Sequence, residues 1–105
     1  MSTTLVVVIG NSDNKLTQQE WADYAAKTAA IVHHYATTQH FAGCSPGTDP
    51  RQHACWIVEM DPALKGFLET ALQRLCHEFR QDSIAVLTGE TQMIGPRSSN
   101  SNATP

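Results

Sequence analysis

Two stretches of this chain repeat their apolar residues with helical period, and four short apolar runs are set around them in a fixed order. Leu5 to Ile9 is an unbroken apolar run, mostly β-branched, as a strand buried on both faces would be. Leu16 to Tyr35 has helical period. His40 to Cys44 and Ala54 to Met60 read as a pair of strands, Pro62 to Arg80 is helical again, and Ser83 to Thr88 is strand-like. The order strand, helix, strand, strand, helix, strand decides which loops share an end of the sheet. It therefore decides which polar side chains can meet.

Local signals support the boundaries. Gly10-Asn11-Ser12-Asp13-Asn14 is turn chemistry. Thr17-Gln18-Gln19-Glu20 is a capping box, with Leu16 and Trp21 at the two positions of a hydrophobic staple. Trp21, Ala25, Thr28, Ala29, Val32 and Tyr35 mark the buried face of the first helix. Asp61 and Pro62 are the N-cap and first residue of the second. Its apolar stripe is Leu64, Phe67, Leu68, Ala71, Leu72, Leu75 and Phe79. Phe41 is the expected inward residue of the second strand. The fourth strand has a place to bend or bulge at Gly89 and to continue to Ile94.

A βαββαβ order defines an α+β sandwich of ferredoxin-like type: a four-stranded antiparallel sheet with two helices on one face. Residues 1–94 form one such domain, and the polar stretch 95–105 is expected to be a disordered tail. The resemblance is to a fold and carries no activity with it.

Composition removes several function classes. A net charge of −3 and a pI near 5.9 argue against nucleic acid as a partner, since such proteins show a basic face. No apolar run approaches a membrane span, and residues 2–9 lack the basic start of a signal peptide. Three cysteines without dense spacing suit free thiols in a reducing cytoplasm.

In this topology the first two strands run one way and the last two run back. The loops Gly10 to Lys15, Cys44 to His53 and Gln81-Asp82-Ser83 then share one rim with the start of the first helix. That rim collects Asn11, Ser12, Asp13, Lys15, Ser45, Asp49, Arg51, His53, Gln81, Asp82 and Ser83. Asn11, Ser12, Asp13, Lys15, His53, Gln81, Asp82 and Ser83 are the candidate ligand-binding set, for a small anionic molecule at the helix end. The competing reading is that asparagine, serine and aspartate are what turns require anyway. Gly10 to Lys15 is not a P-loop, because the second glycine and the Gly-Lys-Ser/Thr ending are missing.

His40, Cys44, His53 and Cys55 lie on one hairpin, but their spacing fits no zinc pattern, so no metal or other cofactor is expected. His40 and Cys44 share a face if strict alternation holds. Cys76 sits beside the second helical stripe and reads as packed. Trp56, with Val58 and Met60 on its side of the strand, reads as core.

Two helices cover only one face of a four-stranded sheet. Strand one is apolar on both faces, and strand three sets Cys55 and Ile57 opposite Trp56 and Val58. A sizeable apolar patch therefore remains on the second face. It is covered by a second copy, by the tail, or by the segment after Gly89. The expectation is a small cytosolic binding or regulatory domain, dimeric through its sheet, with a small anion at the rim. The alternative is a small enzyme using Asp13, Lys15, His53 and Asp82.

Overall fold

A computed structural model describes residues 2–11, 14–46 and 52–96. The elements are β1 (Thr3–Gly10), α1 (Gln18–Tyr35), β2 (Thr38–Cys44), β3 (His53–Met60), α2 (Lys65–Glu78) and β4 (Ala85–Gly89), with a 3-10 turn at Pro62–Leu64 ahead of α2. The strand order is β2-β3-β1-β4, and every neighbouring pair is antiparallel. This is the expected ferredoxin-like sheet. No helix is long and apolar enough to cross a membrane, among the described residues.

Alternation along β1 and β3 builds the dry side. Leu5, Val7 and Ile9 of β1 are buried with Ala54, Trp56, Val58 and Met60 of β3, in one cluster with residues of both helices. Ile84 and Val86 pack against the edge of the same cluster. Thr17 starts α1 as expected: its hydroxyl accepts from the Glu20 amide at 3.1 Å, and its own amide donates to the Glu20 carboxylate at 3.0 Å. Asp61 caps the second helical segment by accepting from the Ala63 amide at 2.9 Å.

The helix faces differ from expectation at two aromatics. Tyr24 is fully buried and was absent from the expected face, whose centre runs through Tyr24, Thr28 and Val32. Trp21, Ala25, Ala29 and Tyr35 flank it, partly buried. Tyr24 stacks on Phe79 at 5.0 Å between ring centroids, and this contact joins α1 to the end of α2. The buried Thr28 hydroxyl is satisfied by the Tyr24 carbonyl at 2.7 Å. Phe67 belonged to the expected stripe of α2 but is 63% exposed. It precedes Leu68 by one residue, about 100° around the helix, and Leu68, Leu72 and Leu75 take the core.

β2 also departs from expectation. Its register against β3 slips between Gln39 and Phe41, leaving His40 as the bulged residue. Phe41 then stands opposite Ile57, on the side away from the helices, and is 51% exposed instead of inward. The slip also breaks the alternation that would have placed His40 and Cys44 on one face. β4 stops at Gly89, and residues 90–95 are irregular rather than a continued strand. Residues 97–105, the greater part of the expected tail, lie outside the described residues.

Two consequences can be measured by denaturant melts. Leu68→Ala and Leu72→Ala should each cost about 2–5 kcal/mol by opening a cavity, while Glu69→Ala on the exposed side should stay within about 0.5 kcal/mol. The Tyr24 hydroxyl is buried without a partner among the described residues. Tyr24→Phe should therefore be neutral or stabilising, by up to about 1 kcal/mol; a clear loss would mean the hydroxyl is satisfied.

Candidate functional site

Hydrogen bonds between the three loops show that they meet at one end of the sheet. The Asn11 amide donates to the Gln52 carbonyl at 2.8 Å, and the Ser45 amide donates to the His53 carbonyl at 2.8 Å. Lys15 reaches the third loop, donating to the Arg80 carbonyl at 3.3 Å and lying 3.8 Å from the Asp82 carboxylate. The three loops therefore lie at one end of the sheet, and their described residues do different work.

Asn11 is 1% exposed and holds the loop together. Its side-chain oxygen accepts from the Leu16 amide at 3.0 Å, and its nitrogen donates to the Leu16 carbonyl at 3.1 Å and to the Gln52 side chain at 2.9 Å. Gln52 and Gln18 exchange a reciprocal pair of amide hydrogen bonds at 2.7 and 3.2 Å. Asn14 closes the turn with a positive φ of 56°, a conformation asparagine tolerates. Ser12, Asp13, Asp49 and Arg51 lie outside the described residues.

The helix end already carries a negative group. Glu20 accepts from the Thr17 amide with one oxygen and from Arg80 Nη2 at 2.8 Å with the other. The Thr17 amide first, and the Arg80 guanidinium second, hold its carboxyl below the ordinary value of 4.5. Arg80 is placed by a Schellman turn: the Gln81 amide donates to the Cys76 carbonyl at 2.8 Å and the Arg80 amide to the His77 carbonyl at 3.2 Å. Arg80 takes the left-handed position at φ 57°, where glycine is usual. Gln52, Gln18 and Arg80 carry the rim and were missed. No local pattern marks Gln52 or Gln18; for Arg80, the missing glycine after α2 was the available signal.

The remaining candidates separate. Gln81 turns back on the helix end, its side chain donating to the Phe79 carbonyl at 3.0 Å. Asp82 and Ser83 are exposed and line a groove of about 470 Å³ between α2 and β4, with Glu69, Leu72, Gln73, Cys76, Ile84 and Val86. His53 is not with them. It shares the helix-free face with Cys55 and lies over Gly10, where an added Cβ would meet its ring at 3.2 Å. Asp82 and His53 thus stand on different sides of the sheet. Cys76 donates its thiol proton to the Gln81 carbonyl at 2.9 Å, and burial first, then Asp82, pushes its pKa up. That is the opposite of nucleophile activation. Among the described residues no three His, Cys, Asp or Glu side chains come together as a metal set. On the bulge, His40 pairs with Glu59 at 2.8 Å.

The helix-free face is the larger continuous feature. Strand register places Phe41, Ile57, Val6 and Leu87 in one row across all four strands. A second row is Gly43, Cys55, Val8 and Ala85. The Phe41 ring folds over Gly43, where a Cβ would come within 2.6 Å of it. Neither row contains a charged residue. The segment after Gly89 does not cover them, since Met93 and Ile94 are 83% and 81% exposed.

No protein-family model matches the chain, and no curated protein matches it. Solved structures align with it at low identity. A DUF3240 family protein from Shewanella baltica OS155 aligns over 90% of this chain and 93% of that one, with 14% identity and a TM-score of 0.50. An uncharacterised protein from Thermotoga maritima aligns over 87% and 96%, with 11% identity and a TM-score of 0.47. The C-terminal domain of the MgtC protein from Mycobacterium tuberculosis aligns over 90% and 93%, with 15% identity and a TM-score of 0.44. The class these observations define is a small α+β sandwich whose second, apolar sheet face is bare among the described residues.

Glu20 gives the rim a pH signature. A carboxyl with a lowered folded-state pKa contributes stability that is present above its ordinary value of 4.5 and is lost as pH falls through the lowered value. Glu20→Gln should therefore flatten the acid side of the stability curve below about pH 4.5. Thermal melts from pH 3 to 7 would show it; identical curves would detach Glu20 from acid stability.

Proposed function

We propose that this chain is a small cytosolic binding or regulatory domain that self-associates through the helix-free face of its sheet. The carrying observation is the uncharged apolar row Phe41, Ile57, Val6 and Leu87 that crosses all four strands. A sheet with eight-residue central strands offers roughly 26 by 19 Å of face. Pleated and studded with side chains, that approaches the ~800 Å² per partner of a standard interface. A two-fold arrangement would bring the same row against itself. The rows hold no lysine or arginine, which speaks against nucleic acid. The free thiols of Cys44, Cys55 and Cys76 suit a reducing compartment. A small anion at the rim finds less support, because Asn11 is committed to its loop and Glu20 already occupies the helix end.

Ile57→Glu is the decisive variant. Ile57 lies on the helix-free side and is only partly buried, so the fold should survive while association through this face is lost. Sedimentation across micromolar concentrations reads the association, and circular dichroism reads the fold. A wild-type monomer at high micromolar concentration would overturn the proposal.

A further inference from the structure

The two edges of this sheet are not alike. β2 is broken by the bulge at His40, and bulges blunt an edge against pairing. β4 keeps an unbroken register with β1 from Ala85 to Gly89, and none of its residues is charged or proline. Among the described residues its outer edge is an unguarded row of main-chain donors and acceptors. What pairs there must be an extended strand.

The chain carries a matching strand next to that edge. From Ala85 to Gly95 it reads Ala-Val-Leu-Thr-Gly-Glu-Thr-Gln-Met-Ile-Gly. Read outward from Glu90 the two halves mirror each other in kind: Gly89 with Thr91, Thr88 with Gln92, Leu87 with Met93, Val86 with Ile94, Ala85 with Gly95. An antiparallel pair of such segments, with a two-fold axis at Glu90, sets each large apolar residue against another. Among the described residues the outer half has no strand partner in its own sheet. β1 begins at Thr3, and the register that pairs Thr4 with Gly89 puts residue 90 opposite Thr3, so residues 91–94 run past the start of β1. At its start the arm keeps to the helix-free side, where the Thr91 hydroxyl touches the Thr4 hydroxyl. Met93 and Ile94 are the most exposed large apolar residues among those described.

We infer that residues 85–95 form a second self-association surface, on which the arm 91–95 of one copy adds as a strand to the outer edge of β4 of another. Directly opposed residues in an antiparallel pair point to the same face. Val86 faces the helices, so Ile94 of the second copy enters the groove lined by Leu72, Cys76, Ile84 and Val86. Leu87 faces the other way, so Met93 of the second copy extends the row Phe41, Ile57, Val6 and Leu87 by one strand. The two Glu90 side chains face each other at the axis and oppose pairing, which keeps the contact reversible.

This surface adjoins the helix-free face proposed above and shares Ala85 and Leu87 with it, and the experiment tells the two contacts apart. In the Ile57→Glu background, which removes the face contact, single cysteines are placed at Glu90→Cys and Gln92→Cys and mildly oxidised. The uncross-linked parent controls for the native thiols. Opposed residues at the axis lie about 5 Å apart, within disulfide reach, whereas residue 92 is roughly 14 Å from its own copy. Glu90→Cys should cross-link at least about tenfold faster than Gln92→Cys. By sedimentation in the same background, Ile94→Asp should weaken association at least about tenfold, and Glu90→Gln should tighten it about two- to fivefold. The three positions 90, 92 and 94 are outside regular structure, and unchanged melting temperatures would confirm an intact fold. Equal cross-linking at 90 and 92, or association indifferent to Ile94→Asp, would overturn the inference. A wild type that associates only through Ile57 would overturn it while leaving the face proposal standing.

Discussion

Two helices can dry only one face of a four-stranded sheet, and the central strand here is apolar on both. Every larger feature follows from that mismatch. Leu5, Val7 and Ile9 are satisfied by α1 and α2, while Val6 and Val8 are left with what the sheet itself can provide. The sheet provides more apolar surface: Ile57 and Cys55 from β3, Ala85 and Leu87 from β4, and Phe41 from β2. A monomer would ordinarily place polar groups there. The bare face is therefore built from residues whose registers align it across all four strands.

The rim behaves in the opposite way. Its polar groups look available in the sequence, yet Asn11, Lys15 and Gln81 are engaged by main-chain partners, while His53, Asp82 and Ser83 stay exposed. Asn11 ties the Leu16 main chain to Gln52. Glu20 closes the capping box with one oxygen and clamps Arg80 with the other, tying the start of α1 to the end of α2. Tyr24 on Phe79 and Lys27 on Glu78 at 2.5 Å repeat that tie along the helix pair. The loop end of the molecule is a brace for two helices before it is anything else.

The two edges of the sheet are built differently. β2 is blunted by a bulge whose extra residue, His40, engages Glu59 and lowers its pKa, with Ser2 adding a second hydrogen bond. β4 has no such device, and it is followed by an arm of the same residue kinds in mirrored order. Residue patterning at opposite edges of one small sheet thus favours pairing on one side and resists it on the other.

Local chemistry made much of this legible before any tertiary structure. The capping box at Thr17, the Asp61-Pro62 start, the apolar run of β1 and the side of β3 that carries Trp56 are dictated by residues near in sequence. So is the strand-helix order, and with it the shared rim and the bare face. Tyr24 and Phe67 were misread because periodicity fixes a helix stripe only to about one residue, while contact with Phe79 and the sheet chooses the phase. Phe41 was misread because a one-residue bulge reverses every side chain beyond it, and bulges leave no mark in composition. The fates of Asn11, Gln52 and Arg80 depend on partners 5 to 60 residues away. By itself the sequence determined the elements, their order and the apolar surplus. Only the tertiary structure decided which polar groups were already taken, because that depends on what the fold brings within hydrogen-bond reach.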